Sequence, residues 1–172
     1  MPTLRRFDDP AAKALAVLAA ASAAALAAAL FLQYVVGMPP CHLCVWQRWP
    51  YLGVVVAGVL GSWWQRPWPA LVVVALLLTV ETGLAAYHVA VEQGVLALPE
   101  SCAAVGQAAT IEDLRAQLDA APPRCDQVPF TLLGLSLAGW NGVLAVLLLA
   151  FSLAAVSRGR SATEQHREGS VT

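Results

Sequence analysis

The sequence predicts an all-α membrane protein, a bundle of four transmembrane helices with two loops on one side and a short amphipathic surface helix in the second loop. Two observations lead to this prediction. Hydrophobic residues make up 59% of the 172 residues and charged residues only 12%, whereas a soluble domain has about a quarter charged residues. Four stretches are also apolar and long enough to cross a bilayer, which takes about 20 helical residues. They span about residues 14–36, 45–64, 70–91 and 130–156.

The rest of the chain is too short to form a second core. We therefore expect one transmembrane domain over residues 1–157 and a polar tail over residues 158–172. Basic residues before the first stretch leave a secretory signal peptide as an alternative. The apolar run is longer than the roughly 7–15 residues of a signal peptide, however, which favours a retained helix. A net charge of −1 offers no basic excess for binding a nucleic acid.

The distribution of lysine and arginine predicts the orientation in the membrane. Basic residues near helix ends favour the cytoplasmic side. With four spans, the two termini and the turn between the second and third helices share the basic residues, whereas the loop over residues 92–129 has six acids and only two arginines. Both termini should then be cytoplasmic, and the other two loops should face outward. The basic residues on the cytoplasmic side are Arg5, Arg6, Lys13, Arg66, Arg158, Arg160 and Arg167.

One segment of the long outer loop is predicted to be helical, from Thr110 to Leu118. Thr110 can cap this helix, with Asp113 three residues later. Ile111, Leu114 and Leu118 fall on one helical face. Such a helix would lie on the lipid surface or pack on the protein itself, and the sequence leaves both arrangements open.

Four cysteines, Cys41, Cys44, Cys102 and Cys125, all fall in the outward loops. An even number of cysteines in an oxidising compartment implies disulfides, and four cysteines allow three pairings. The C-x-x-C spacing of Cys41 and Cys44 favours a local redox-active pair. That pairing leaves Cys102 with Cys125.

Two alternatives treat these cysteines as structural. The chain would be a non-enzymatic membrane scaffold if both disulfides only stabilised loops, although a C-x-x-C disulfide closes too small a loop to stabilise much. Four thiolates would also suit zinc, but the second pair lacks the usual ligand spacing. We therefore expect no metal site.

Two charged or titratable side chains accompany the C-x-x-C motif. An imidazolium at His42, inside the motif, would favour a neighbouring thiolate, although a histidine in a solvent-facing loop is the simpler interpretation. Arg48 lies one turn after Cys44 on the same helical face. It either extends to the lipid headgroups or holds a polar carbonyl group, such as a quinone oxygen, beside Cys44.

Glu81 lies inside the third predicted helix, where a carboxyl group is unfavourable. It shares a helical face with His88 and Glu92, an arrangement that would suit a proton path for quinone reduction. A neutral Glu81 that is hydrogen-bonded between helices is the favoured interpretation.

The segment Cys41-His-Leu-Cys44-Val-Trp-Gln47-Arg48 resembles the C-x-L-C-x-x-Q-R segment of the disulfide bond formation protein B (DsbB) family. The resemblance extends over about residues 15–156. Further similar segments are Tyr87-His88 with Glu92 and Gly94, Pro99-Glu-Ser-Cys102, Arg124-Cys125-Asp126, and residues 134–141, which end in Trp140-Asn141.

The resemblance implies a quinone-linked thiol oxidase in a bacterial inner membrane, with periplasmic cysteine loops. Cys102 would receive the thiolate of a periplasmic thioredoxin-like thiol oxidase of the DsbA type, and exchange through Cys125 would pass electrons to the Cys41–Cys44 disulfide. Cys44 would then reduce ubiquinone, with menaquinone as a possible acceptor under anaerobic conditions. Arg48 would help to hold the ring, and His88 would lie near it.

A vitamin K epoxide reductase-like enzyme is a related alternative, also a four-helix bundle that uses a quinone. In that bundle the quinone-side C-x-x-C follows the loop cysteines, whereas here it precedes them, directly after the first helix. The order of the motifs therefore disfavours this alternative.

Overall fold

Four long helices form the body of the protein in a computed structural model, which describes residues 9–102, 110–113, 115, 123–128 and 130–168, with side chains in the last helix as far as Gly159. By length and composition, four helical stretches of this described part can cross a membrane, and the predicted fold class is confirmed. In chain order the elements are α1 (Pro10–Tyr34), α2 (His42–Trp46), α3 (Arg48–Trp63), α4 (Pro67–Glu92), a 3-10 helix (Glu100–Cys102), β1 (Thr131–Leu132), β2 (Leu135–Ser136) and α5 (Leu137–Glu168).

The third span begins earlier than the sequence predicted. The sequence placed the start of this span at about residue 70, but Pro67 already starts α4 and the chain reverses before it, where Gln65 has a φ of 53°. Proline is well suited to the first turn of a helix, because its missing N–H would have no helical partner there. Pro67 and Pro69 therefore belong to α4 and not to the turn before it.

Helix α3 lies against both α1 and α4, and α4 packs most extensively on α5. Fully buried aliphatic side chains fill the space between α1, α3 and α4. A methyl group on Gly58 would lie 2.6 Å from Cβ of Ala19, so α1 and α3 approach closely, as small residues allow in lipid. The fully buried aliphatic residues are Leu15, Leu18, Val54, Leu71, Val74 and Leu78.

The predicted start of the last helix, at about residue 130, is wrong. Strands β1 and β2 form an antiparallel hairpin there. Ser136 caps α5, since the Gly139 N–H donates to its Oγ (2.9 Å) and its hydroxyl donates to Oε2 of Glu92 at the end of α4 (2.6 Å). Trp140 Nε1 donates to the carbonyl oxygen of Leu132 (2.9 Å) and ties the hairpin to the helix.

The last helix also extends past its predicted end at about residue 156. Its backbone continues to Glu168, because no proline interrupts residues 157–168. In the long loop after α4, the Asp113 N–H donates to Oγ1 of Thr110 (3.1 Å), as expected for a cap. Residues 111–113 and 115 are helical, and the remainder of the predicted surface helix, including Leu118, lies outside the described residues.

Candidate active site

The C-x-x-C motif lies where α2 begins. Gly37, with a φ of 78°, and two prolines end the first span. Cys41 then serves as the N-cap of α2, and the backbone N–H of Cys44 donates to its Sγ (3.2 Å). The chain continues through Gln47 into α3 with helical dihedral angles. The motif is therefore held at the N-terminal end of the second span.

A histidine from α4 contacts the first cysteine. Nε2 of His88 lies 3.6 Å from Sγ of Cys41 and 3.9 Å from Oε1 of Glu92. Nδ1 of His88 donates to Oε1 of Gln47 (3.2 Å), because an amide oxygen can only accept. This bond fixes the ring with Nε2 toward the sulfur, an arrangement in which one side chain orients the imidazole that faces a thiol.

Hydrogen bonds favour the thiolate of Cys41. The bond from the Cys44 side chain has the largest effect, and bonds from His88 and from the Cys44 backbone add to it. Burial of the sulfur acts in the opposite direction, and together these influences lower the pKa of Cys41 to about 4. Cys41 is therefore ionised at neutral pH when the pair is reduced.

This lowered pKa predicts a pH profile for alkylation. The thiolate is the reactive form, so reaction of the reduced protein with iodoacetamide at Cys41 should be half-maximal near pH 4. His88→Ala should move the midpoint to higher pH, whereas His42→Ala should leave it in place. Peptide mass spectrometry reports the modification of each cysteine separately. A wild-type midpoint near the ordinary value of 9.0 would contradict this assignment.

Cys102 and Cys125 are the second pair of cysteines, named the outer pair after their predicted outward loop. Cys102 and Cys125 are joined by a disulfide, while Cys41 and Cys44 are thiols. The disulfide is buried in one cluster with Cys41, Leu43 and Val91. The outer pair therefore packs against the first cysteine of the C-x-x-C motif, and both pairs lie at the same end of the bundle.

A partly open cavity of about 180 Å³ adjoins the inner cysteines. Arg48 lines it, and its Nη1 donates to Oε1 of Gln33 on α1 (2.6 Å), which directs the guanidinium group. The Nε2 group of Gln47 is buried and has no hydrogen-bond partner within the described part of the chain. The cavity thus combines apolar walls with polar side chains, one of which has an unsatisfied donor. Its polar lining includes Cys44, Gln47, Arg48, Tyr51, His88 and Asn141.

The model of a family described as Disulfide bond formation protein DsbB matches residues 11–155 of this chain. The chain belongs to this family. A relative named Disulfide bond formation protein B from Acidovorax sp. (strain JS42) is 31% identical over 91% of this chain and 93% of its own length. Another of that name from Paracidovorax citrulli is 32% identical over 83% and 85%. Disulfide bond formation protein B 2 of Pseudomonas aeruginosa is 32% identical over 78% and 84%.

Membership in the DsbB family confirms the resemblance seen around the C-x-x-C motif. The chain is a multi-pass membrane protein of disulfide-bond formation with the role of a disulfide oxidoreductase. Neither a vitamin K epoxide reductase-like identity nor a purely structural scaffold agrees with this membership.

The structure brings several predicted site residues together and separates one. Cys41, Cys44, Arg48 and His88 line the same cavity, and the outer disulfide packs beside Cys41. His42 instead accepts a hydrogen bond from Trp46 Nε1 (3.4 Å) and makes no hydrogen bond to either thiol among the described residues.

Sequence reasoning did not identify Gln47, Tyr51 or Asn141 as site residues, although all three line the cavity. Each is a polar side chain within a membrane-spanning helix. Since polar groups at such depth usually face the interior of the bundle or a cavity, this property was the available signal.

Proposed function

We propose that this protein reoxidises a periplasmic thioredoxin-like thiol oxidase of the DsbA type and passes the electrons to a quinone. The observation that carries the proposal is the position of Cys41, which packs against the Cys102–Cys125 disulfide and also lines the cavity with Cys44 and Arg48. Cys41 therefore lies in space between the outer pair of cysteines and the cavity.

The outer pair would exchange with the partner. A thiolate of the reduced partner attacks Cys102, and Cys125 leaves as a thiolate. The partner's second thiolate then resolves this mixed disulfide, so that the partner regains its disulfide while Cys102 and Cys125 become thiols. These thiols in turn reduce the Cys41–Cys44 disulfide, and the Cys102–Cys125 disulfide forms again. Two electrons move inward in each exchange.

The lowered pKa of Cys41 supports this direction of electron flow. A stabilised thiolate stabilises the reduced form of a cysteine pair, and it therefore makes the corresponding disulfide a stronger oxidant. His88 and the Cys44 backbone N–H supply part of this stabilisation. The inner pair would thus draw electrons from the outer pair.

The residues around the cavity fit a quinone headgroup. A buried donor without a partner is unfavourable by about 1–3 kcal/mol, and a ring carbonyl oxygen would satisfy Nε2 of Gln47. The guanidinium group of Arg48 offers further donors that remain charged at any relevant pH. A bound quinone supplies a two-electron acceptor, with ubiquinone expected and menaquinone under anaerobic conditions. Cys44 would be the cysteine that faces it.

The proposed sidedness follows from the basic residues near the helix ends and predicts the accessibility of two exposed sites. In protein without its native cysteines, Leu133→Cys in the hairpin should react with a membrane-impermeant maleimide from the periplasmic side of spheroplasts. Trp64→Cys, at the opposite end of α3, should react only in inverted vesicles. Both parent side chains are well exposed, at 85% and 66%. The reverse pattern would place the cysteine loops in the cytoplasm.

A coupled assay tests the proposed function. Purified protein, a reduced DsbA-type oxidase and a short-chain ubiquinone should together consume one quinone for each partner disulfide formed, as followed by ultraviolet absorbance. The reaction should require all four cysteines. If the quinone is not consumed, and the cysteine pairs resist a mild dithiol, the protein is a scaffold and the proposal is wrong.

A further inference from the structure

A chain of three polar side chains forms one side of the cavity, and the proposed electron transfer does not use it. Tyr51 on α3 and Asn141 on α5 line the cavity. Tyr51 Oη donates to Oδ1 of Asn141 (2.9 Å), and Nδ2 of Asn141 donates to Oε1 of Glu81 (2.7 Å). Glu81 is fully buried on α4. We call these three residues the polar wall.

An ionised Glu81 determines the direction of every hydrogen bond in the polar wall, because a carboxylate can only accept. Its Oε1 accepts from Asn141, so the amino group of Asn141 faces Glu81 and the carbonyl oxygen faces Tyr51. A flipped amide would bring its oxygen against the carboxylate, two acceptors at hydrogen-bond distance. The single hydroxyl proton of Tyr51 is therefore committed to Asn141, and only lone pairs of Oη remain for another group.

These lone pairs distinguish the two redox forms of a quinone. The oxygens of the oxidised ring can only accept hydrogen bonds, whereas each oxygen of the hydroquinone carries a hydrogen that can be donated. When the reduced Cys41–Cys44 pair becomes a disulfide, it loses two electrons and the Cys44 proton, because Cys41 is already a thiolate. The ring gains these together with a second proton from water. An acceptor in the cavity therefore favours the product of this reaction over its substrate.

We infer that the polar wall selects the hydroquinone form of the ligand, with Tyr51 as the acceptor and Glu81 as a positioning residue that acts through Asn141. The inference rests on the proposed function. It assigns two different roles to the polar groups of the cavity, because the donors of Gln47 and Arg48 suit the oxidised ring. If the hydroquinone binds more tightly than the quinone by a given factor, the equilibrium between the two bound forms shifts toward the hydroquinone by the same factor.

A purely structural role for Glu81 predicts a different result. The sequence favoured a hydrogen bond between helices, and the bond to Asn141 is one. If it only joined α4 to α5, its loss would weaken the bundle and affect both redox forms of the ligand alike. The ratio of the two affinities therefore separates the interpretations.

The test measures the Kd of a short-chain ubiquinone and of its hydroquinone, without oxygen, in a Cys44→Ser parent that cannot exchange electrons with either. Adding Tyr51→Phe should weaken hydroquinone binding by about three- to tenfold, the factor of one neutral hydrogen bond, and leave quinone binding unchanged. Glu81→Leu should do the same. Glu81→Gln should keep the bond between the helices but lose part of the selectivity, since an amide can either accept from Asn141 or donate to it.

Ser152→Ala is the matched control, because Ser152 is equally buried on α5 but bonds only within its own helix, to Leu149. It should change neither Kd. Equal weakening of both redox forms by Tyr51→Phe, or weakening of neither, would overturn the inference while leaving the proposed function intact. If the Cys44→Ser parent binds neither the quinone nor the hydroquinone, the result contradicts the proposed function, and with it the inference.

Discussion

Replacing Arg48 by His should raise the apparent KM for quinone by roughly ten- to a hundredfold and leave disulfide exchange with the thioredoxin-like partner unchanged. The hydrogen bond of a guanidinium group to a carbonyl oxygen is charge-assisted, a class that contributes about 1.5–3 kcal/mol. Each 1.4 kcal/mol corresponds to a factor of about ten. Steady-state quinone reduction at varied quinone concentration measures the effect.

Two further substitutions separate quinone contact from lipid anchoring. Arg48→Lys should retain part of the affinity, because the charge remains while the planar fork of donors is lost. Gln33→Leu should cause a smaller increase in KM, since it removes the acceptor that directs Nη1. An unchanged KM in Arg48→His, or equal behaviour of Lys and Arg, would make the arginine only an interfacial anchor.

Replacing Cys125 by Ser should stop turnover and trap, at Cys102, a partner that keeps only its first cysteine. In the wild type Cys102 and Cys125 form the outer disulfide, so the variant leaves Cys102 as a thiol. This thiolate can open the Cys41–Cys44 disulfide at Cys41 and release Cys44, and the partner's thiolate then takes Cys102 and releases Cys41. The resulting mixed disulfide lacks both Cys125 and the partner's second thiol, either of which would displace it. Non-reducing electrophoresis detects the covalent complex, and mass spectrometry identifies the linked cysteine.

The control for this experiment is the double variant with Cys102→Ser and Cys125→Ser, which should form no complex with the partner. Cys44→Ser, which leaves the outer pair intact, should still accept one pair of electrons from the partner. Capture of the partner at Cys44 would reverse the proposed order of the two cysteine pairs.

The number of spans followed from hydropathy alone, but the start of the last helix did not. Leu132, Leu133 and Leu135 continue the apolar run of the helix that follows them, so composition cannot separate hairpin from span. The turn depends on positive φ at Leu133 (52°) and Gly134 (82°). A single glycine in an apolar run was too weak a signal of this turn, since glycine is common in membrane helices.

The C-x-x-C pair and its neighbour Arg48 were also accessible from the sequence, because they depend on short local spacing. The Cys102–Cys125 disulfide, whose cysteines are 23 residues apart, followed only as the remaining pairing. The contacts of Glu81 and Cys41 were not accessible from the sequence. Glu81 meets Asn141, 60 residues later in the chain, and Cys41 meets His88, 47 residues later. Helical periodicity predicts which residues share a face, but the rotation and relative height of neighbouring helices depend on packing. The sequence therefore suggested His42, which is adjacent to Cys41 in the chain, as the histidine that favours a thiolate. In the structure His88 makes the contact with Cys41.

A single-turnover experiment tests the central claim, that the inner cysteine pair reduces a quinone, most directly. Protein with all four cysteines reduced is mixed without oxygen with one equivalent of short-chain ubiquinone, and both the remaining thiols and the quinol are counted. The account predicts one quinol for every two thiols lost, with rapid formation of quinol that disappears in Cys44→Ser. Quinone that stays oxidised while the four thiols remain would contradict it.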